Sequence, residues 1–243
     1  MKAASEGSDN IESSGMLLLV LVCFLWGGNM VSIKVSNSGI PPILAATLRS
    51  MLASALLWGY ARCKGEAVFL RKADLGFGIV LGILFGFDFM FLYWGTAFTD
   101  ASRAVIFLYT TPLWVALAAH FVLPQDRLTT SKAIGLISSF LGLATVFAVR
   151  SSDLGPLYWV GDLMEVAAAM CWASTTVYVK KFIPNRPINH FQTLFAQLFF
   201  AIPILAAGSW LFERHLSLDL RPIVVTAFAY QTLVIAFFSY ILW

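Results

Sequence analysis

An all-α membrane bundle is the fold this 243-residue sequence predicts, on three observations. Hydrophobic residues make up 59% of the chain and charged residues 12%, with a mean hydropathy of +0.81. Soluble domains are about 45–50% apolar and about 25% charged, so this chain has too little charge to cover a surface facing water. Eight stretches reach the roughly 20 mostly apolar residues that a spanning helix needs. The chain also echoes itself after an odd number of spans. Together these predict a polytopic membrane helix bundle of inverted five-helix repeats, a ten-helix plan with eight helices present.

Residues 1–14 are polar and slightly acidic, without the basic start and small-residue cleavage site of a secretory leader, and are expected to form a disordered cytoplasmic tail. The spans follow at about 16–35, 41–61, 75–98, 102–123, 132–149, 157–179, 189–211 and 222–243. In lipid a backbone must satisfy its own hydrogen bonds, and these runs far exceed the roughly 9–11 residues of a barrel strand, so they are helices. Buried helices of a large soluble protein would need polar faces that these runs lack.

Lys and Arg in the loops set the orientation. With the N-terminus in the cytoplasm, the inner side collects Lys2, Arg62, Lys64, Arg71, Lys72, Arg127, Lys132, Lys180, Lys181 and Arg186; the outer side collects Lys34, Arg103, Arg150, Arg214 and Arg221. The N-terminus is therefore expected inside.

The echo runs at an offset of 146 residues: Trp26 and Lys34 of the first span match Trp172 and Lys180 of the sixth. Phe91–Trp94 (FLYW) is mirrored by Tyr240–Trp243 (YILW). Five spans per repeat turn the second copy over in the membrane, and the loop charges agree. Residues 15–150 then form the first repeat and residues 157–243 an incomplete second one. Nothing pairs with the fourth and fifth spans, so the chain is expected to be a C-terminally truncated piece of a ten-helix protein, its cavity lacking a wall.

Charges inside spans mark function by default, because each costs a few kcal/mol in lipid. Arg49 lies about eight residues, roughly 12 Å, from the outer end of the second span. Asp88 is central in the third span and Glu165 lies within the sixth. These three read as substrate-binding or proton-coupling groups, or as a fixed salt bridge, with Arg49 alternatively snorkelling to the interface. Asp162 reads as an interfacial residue or helix-start cap. Asn29, Gln197 and Gln231 either bond between helices or line a substrate path, with Gln197 favoured because it lies near the repeat counterpart of Arg49. Trp26, Tyr93, Trp94, Tyr109, Trp114 and Trp172 place rings within spans, where they pack or stack on a planar solute; Trp58, Tyr60, Tyr158, Trp159 and Trp210 sit where interface anchors belong. Gly78, Gly82 and Gly86 form a groove for a neighbouring helix. Pro112 can kink the fourth span and free a backbone carbonyl.

Three cysteines (Cys23, Cys63, Cys171) are scattered, and His120, His190 and His215 share no motif. No metal, cofactor or catalytic residue is predicted. The absent P-loop argues against an ATP-driven pump. The net charge of +3 forms no basic stripe, so no nucleic acid is expected.

Several runs carry a family resemblance: WGGNMVSIKV from Trp26, LRSMLASALL around Arg49, YWGTAFTDASRAVIFLYTTPLWVALAAHF, DRLTTSKAIGLISSFLGLATVF and GDLMEVAAAMCWASTTVYVKKF. In this order over residues 15–243 they resemble the EamA-domain transporters of the drug/metabolite transporter superfamily. Asp126–Arg127 departs mildly from that family's Glu before a basic residue. The resemblance implies two EamA repeats, a multi-pass protein of the plasma (inner) membrane and secondary active transport, outward in direction, of a small metabolite, amino acid or drug-like solute. Expected partners are that solute, the bilayer and protons as coupling ion, with a homodimer left open. The alternatives are a membrane enzyme acting on a lipid or isoprenoid, which should cluster acids or His at one face, and a non-transporting scaffold.

Overall fold

A computed structural model describes residues 13–124, 126–147, 155–239 and 241. The expected tail (but for its last two residues), Arg150 and most of the YILW echo lie outside the described residues. All regular structure among the described residues is helical. The helices are α1 (Ser13–Gly27), α2 (Asn29–Ser36), α3 (Pro42–Lys64), α4 (Leu75–Phe98), α5 (Ala101–Leu108), α6 (Thr111–Val122), α7 (Thr130–Phe147), α8 (Tyr158–Phe182), α9 (His190–Phe212) and α10 (Pro222–Ala229), the last continuing as a π-helix over Tyr230–Ser239.

Six stretches among the described residues are long and apolar enough to cross a membrane: Gly15–Ser36, Pro42–Lys64, Lys72–Phe98, Ala101–Val122, His190–Phe212 and Pro222–Ser239. Helices α7 and α8 stand at the fifth and sixth predicted positions. Their limits follow local chemistry. Pro42 opens α3 in the first helical turn, where a missing N–H costs nothing. Gly65, at φ 73°, closes it in the left-handed region, and the Glu66 N–H returns to the Ala61 carbonyl. A reciprocal capping box between Asn189 and Gln192 starts α9.

The first and fourth spans, expected as continuous helices, are each broken, and the eighth changes helix type. The first breaks at Gly28, between α1 and α2. There the Leu25 carbonyl accepts from the Tyr230 hydroxyl at 2.7 Å. The fourth breaks at Tyr109–Thr110. Pro112 lies in the first turn of the new helix α6 and has no N–H for the Leu108 carbonyl; the Thr111 hydroxyl donates to that carbonyl at 2.6 Å instead. In both places a side chain supplies what the backbone lost, as membrane depth demands.

Helix α4 stands between α8 and α9, and α3 packs on α9. The glycine groove is a packing surface. A Cβ on Gly82 would come within 2.8 Å of Phe200 main chain, and one on Gly86 would sit 3.3 Å from Ile204. On the other side of α4, Gly95 meets Gly161 of α8 just as closely. Ile33, Ile43, Leu81, Leu198 and Leu205 fill the core, while Leu17, Phe24 and Phe121 point outward with over 70% of their surface exposed, as side chains facing lipid do.

Candidate functional site

Polar contacts divide the bundle into two ends. At one, Asp126 pairs with Lys132 and Lys180, Asp74 with Arg71 and Arg186, and Asn189 donates to Glu66. At the other, Arg103 pairs with Asp162, and Lys34 donates to the Thr96 and Thr99 carbonyls at 2.8 and 2.6 Å, where α4 ends with bare carbonyl groups. There too the Glu213 carboxylate accepts from the N–H groups of Ile43 and Leu44 at 2.7 and 2.8 Å, capping α3, which has no side-chain cap of its own. These sets match the two sides expected from the loop charges.

A cavity of about 1030 Å³ reaches from the middle of the bundle to the Asp126 end. Its deep part is walled by Trp26, Asn29, Asp88, Tyr109, Trp172, Gln197 and the rings of Phe85 and Phe89; its mouth is framed by Asp126, Arg127, Lys132 and His190. Both broken spans face it, through Asn29 and Met30 beside one break and Tyr109, Thr111 and Pro112 at the other. None of the groups joined at the opposite end lines it.

Asp88 is 3% exposed, and its Oδ1 has no hydrogen-bond partner among the described residues. Asn29 Oδ1 and Thr175 Oγ1, on the same cavity, are likewise buried without a partner. Native proteins rarely leave buried polar atoms unsatisfied, so each such atom calls for a reason. The rings of Trp26 and Trp172 lie 5.7 Å apart, and Trp26 Nε1 donates to Ser239 on the π-helix at 2.8 Å.

Six of the ten predicted site residues line this cavity: Trp26, Asn29, Asp88, Tyr109, Trp172 and Gln197. Four do not. Arg49, 1% exposed, lays its guanidinium on the Phe89 ring at 4.3 Å and donates through Nε to the Gln231 carbonyl. Tyr93 donates to the Gln231 side chain at 2.5 Å, and Gln231 donates to Ser32 and Ser36. Gln231 thus joins four elements instead of lining the path. Trp94 packs on Phe212. Glu165, fully buried, accepts from the Thr96 hydroxyl at 2.9 Å at the α4–α8 contact. Among the described residues Asp162 caps no helix start; it pairs with Arg103 and accepts from Thr99. Residue-type reasoning passed over Thr175 and Thr193 on the cavity, whose signal would have been hydroxyls on the cavity stripe of α8 and α9.

Helices broken beside a cavity at the middle of an apolar bundle are a common build of membrane transporters. The chain belongs to the EamA-like transporter family, whose profile matches residues 13–148. It is 25% identical over 229 residues to the uncharacterized transporter YoaV of Bacillus subtilis, covering 94% of this chain and 77% of that one. It is 30% identical over 172 residues to a probable amino-acid metabolite efflux pump of Salmonella typhimurium, covering 70% of this chain and 54% of the pump. A crystal structure at 20% sequence identity superposes with a TM-score of 0.70 over 96% of this chain and 79% of that one, sharing the fold.

Proposed function

We propose that the chain is a secondary transporter that carries a small metabolite, amino acid or drug-like solute outward across the plasma membrane, with Asp88 as the coupling group. The observation that carries this reading is a buried carboxylate whose one oxygen has no donor among the described residues, on a cavity between two broken spans. With the N-terminus in the cytoplasm, as the loop charges favour, the mouth at Asp126 opens inward and loads solute from the cell. The efflux pumps of Salmonella typhimurium and Escherichia coli among its relatives are named for amino-acid metabolites, which supports the direction and the solute class.

A carboxylate in this setting exchanges a proton for a solute charge as the cavity changes sides. Arg49, Glu165 and Cys171 interact with it inside the bundle, and Tyr109, Asp126, Arg127, Lys132 and His190 are the further titratable or charged groups on the cavity. Reconstitution of the protein in liposomes tests the reading. Amino-acid and amine flux is expected to respond to an imposed pH gradient and to be lost in Asp88→Asn. Flux that persists unchanged in Asp88→Asn, Glu165→Gln and Arg49→Gln would overturn it.

A further inference from the structure

We propose that the cavity takes its solute by a cationic ammonium group seated at Asp88 and Asn29, with the solute's apolar body against Trp26 and Trp172. This rests on the transport reading and narrows it to a substrate class.

The unsatisfied atoms set the polarity of the ligand. Asp88 Oδ1 and Asn29 Oδ1 are both buried on this cavity with no donor among the described residues. Both accept hydrogen bonds; Thr175 Oγ1, the third such atom on the cavity, can accept or donate. A ligand group that satisfies them must be rich in N–H or O–H, and an ammonium brings three donors. A carboxylate or phosphate would add acceptors where acceptors already lack partners.

Charge balance points the same way. Arg49, Asp88 and Glu165 are buried side chains of this region that can carry charge, and of these Asp88 alone lines the cavity; Asp162 is matched separately by Arg103. An unbalanced charge is costly in the membrane interior. A cationic group beside Asp88 offsets a carboxylate there, and an anionic one adds to it. Arg49 does not line the cavity, so it presents no guanidinium to a solute carboxylate.

The walls select the rest of the molecule. Tryptophan rings attract a cation over their faces and flat apolar groups alongside it. Phe85 and Phe89 extend that apolar wall on either side of Asp88 in sequence. A volume of about 1030 Å³ leaves room for an aromatic or aliphatic body beyond the ammonium.

Calorimetry on the full chain in lipid nanodiscs tests this with four probes of similar size: phenethylamine, phenylalanine, phenylpropanol and hydrocinnamate. Phenethylamine is expected to bind roughly tenfold or more tighter than phenylpropanol, and hydrocinnamate not to bind. Asp88→Asn should erase that preference. Asp88→Glu should keep it, which covers the case in which the Asn variant does not fold. Phenylalanine bound as well as phenethylamine assigns the ammonium to amino acids; phenylalanine rejected assigns it to simple amines. Equal binding of charged and uncharged probes, preferred hydrocinnamate, or no binding of any probe overturns the proposal. Because binding is read without flux, the two readings fail separately. Selective amine binding by a protein that moves no solute removes transport alone. Flux without amine preference removes this inference alone.

Discussion

Trp26 and Trp172 stand 146 positions apart in the chain and touch across the cavity, their ring centroids 5.7 Å apart. They are also the two residues that the internal echo pairs. Two equivalent positions related by a pseudo-two-fold axis come into contact only where they lie beside that axis. On the repeat plan that the sequence predicts, this pair would fall beside the axis relating the two copies, and both rings line the cavity.

Removing either ring should weaken solute binding, and removing both should cost less than the sum. Each ring packs the other, so Trp26→Ala already loosens Trp172. The expected coupling is about 0.5–1.5 kcal/mol, the range for an aromatic pair beyond its buried area. Titrating phenethylamine into wild type, both single variants and the double variant closes the cycle. Additive losses would show that the rings act separately.

Glu213 should matter to stability although it lies far from the cavity. Its two oxygens hold the first free N–H groups of α3 across 170 and 169 residues of chain. Glu213→Ala leaves both without a side-chain acceptor, at a cost of about 1–2 kcal/mol, typical of a lost cap. Glu213→Gln keeps one acceptor and should lose less. Unfolding in detergent, followed by helical signal, separates the two variants.

Opposite responses are expected from two glycines of neighbouring helices. Gly82→Ala drives a methyl group into Phe200 main chain, which cannot swing aside as a side-chain tip can; overpacking of this kind costs about 1–3 kcal/mol. A Cβ at Gly59 meets nothing within 4 Å, so Gly59→Ala should be neutral or gain up to about 1 kcal/mol of helix propensity. Thermal melts of the two variants beside wild type read the difference.

Acid should release the mouth of the cavity. Lys132 and Lys180 donate to opposite oxygens of Asp126 at 2.8 and 2.5 Å and hold its carboxyl down at about 2. A carboxyl depressed in the fold stabilises it above the unfolded value of about 4 and loses that contribution as pH falls toward about 2. The gap in Tm between wild type and Asp126→Asn should be steady from about pH 8 to pH 5 and close below about pH 4. Added salt should narrow it, since all three groups are at least partly exposed.

The spans and their order were legible in the sequence because lipid demands about 20 apolar residues whatever their neighbours. Boundaries such as Pro42 and Gly65 carried their own signals. Azimuth did not. A helix apolar on every side shows no stripe, so nothing local told that Asp88 faces the cavity while Arg49 and Glu165, just as deeply placed, turn into helix contacts. The breaks were half legible: Pro112 announced one, but the break at Gly28 relies on a hydroxyl 205 residues away in Tyr230. The role of Glu213 had no local signal, because its partners are equally remote. The hint was the paired proline start of α3, which has no Ser, Thr or Asp to cap it.

The two joints carry a mechanical consequence. A straight helix is a rod: a push at one membrane face arrives at the other. A helix interrupted at mid-depth is two levers on a pin. Beyond the joints, α2 and α5 pack on each other and on α4, and Lys34 and Asn37 pin α2 to the end of α4. On the cavity side α1 leans on the π-helix and α6 on α8, the same two elements that α2 and α5 also touch. A tilt of α1 or α6 about Gly28 or Tyr109 would reshape the cavity, because both joints adjoin it.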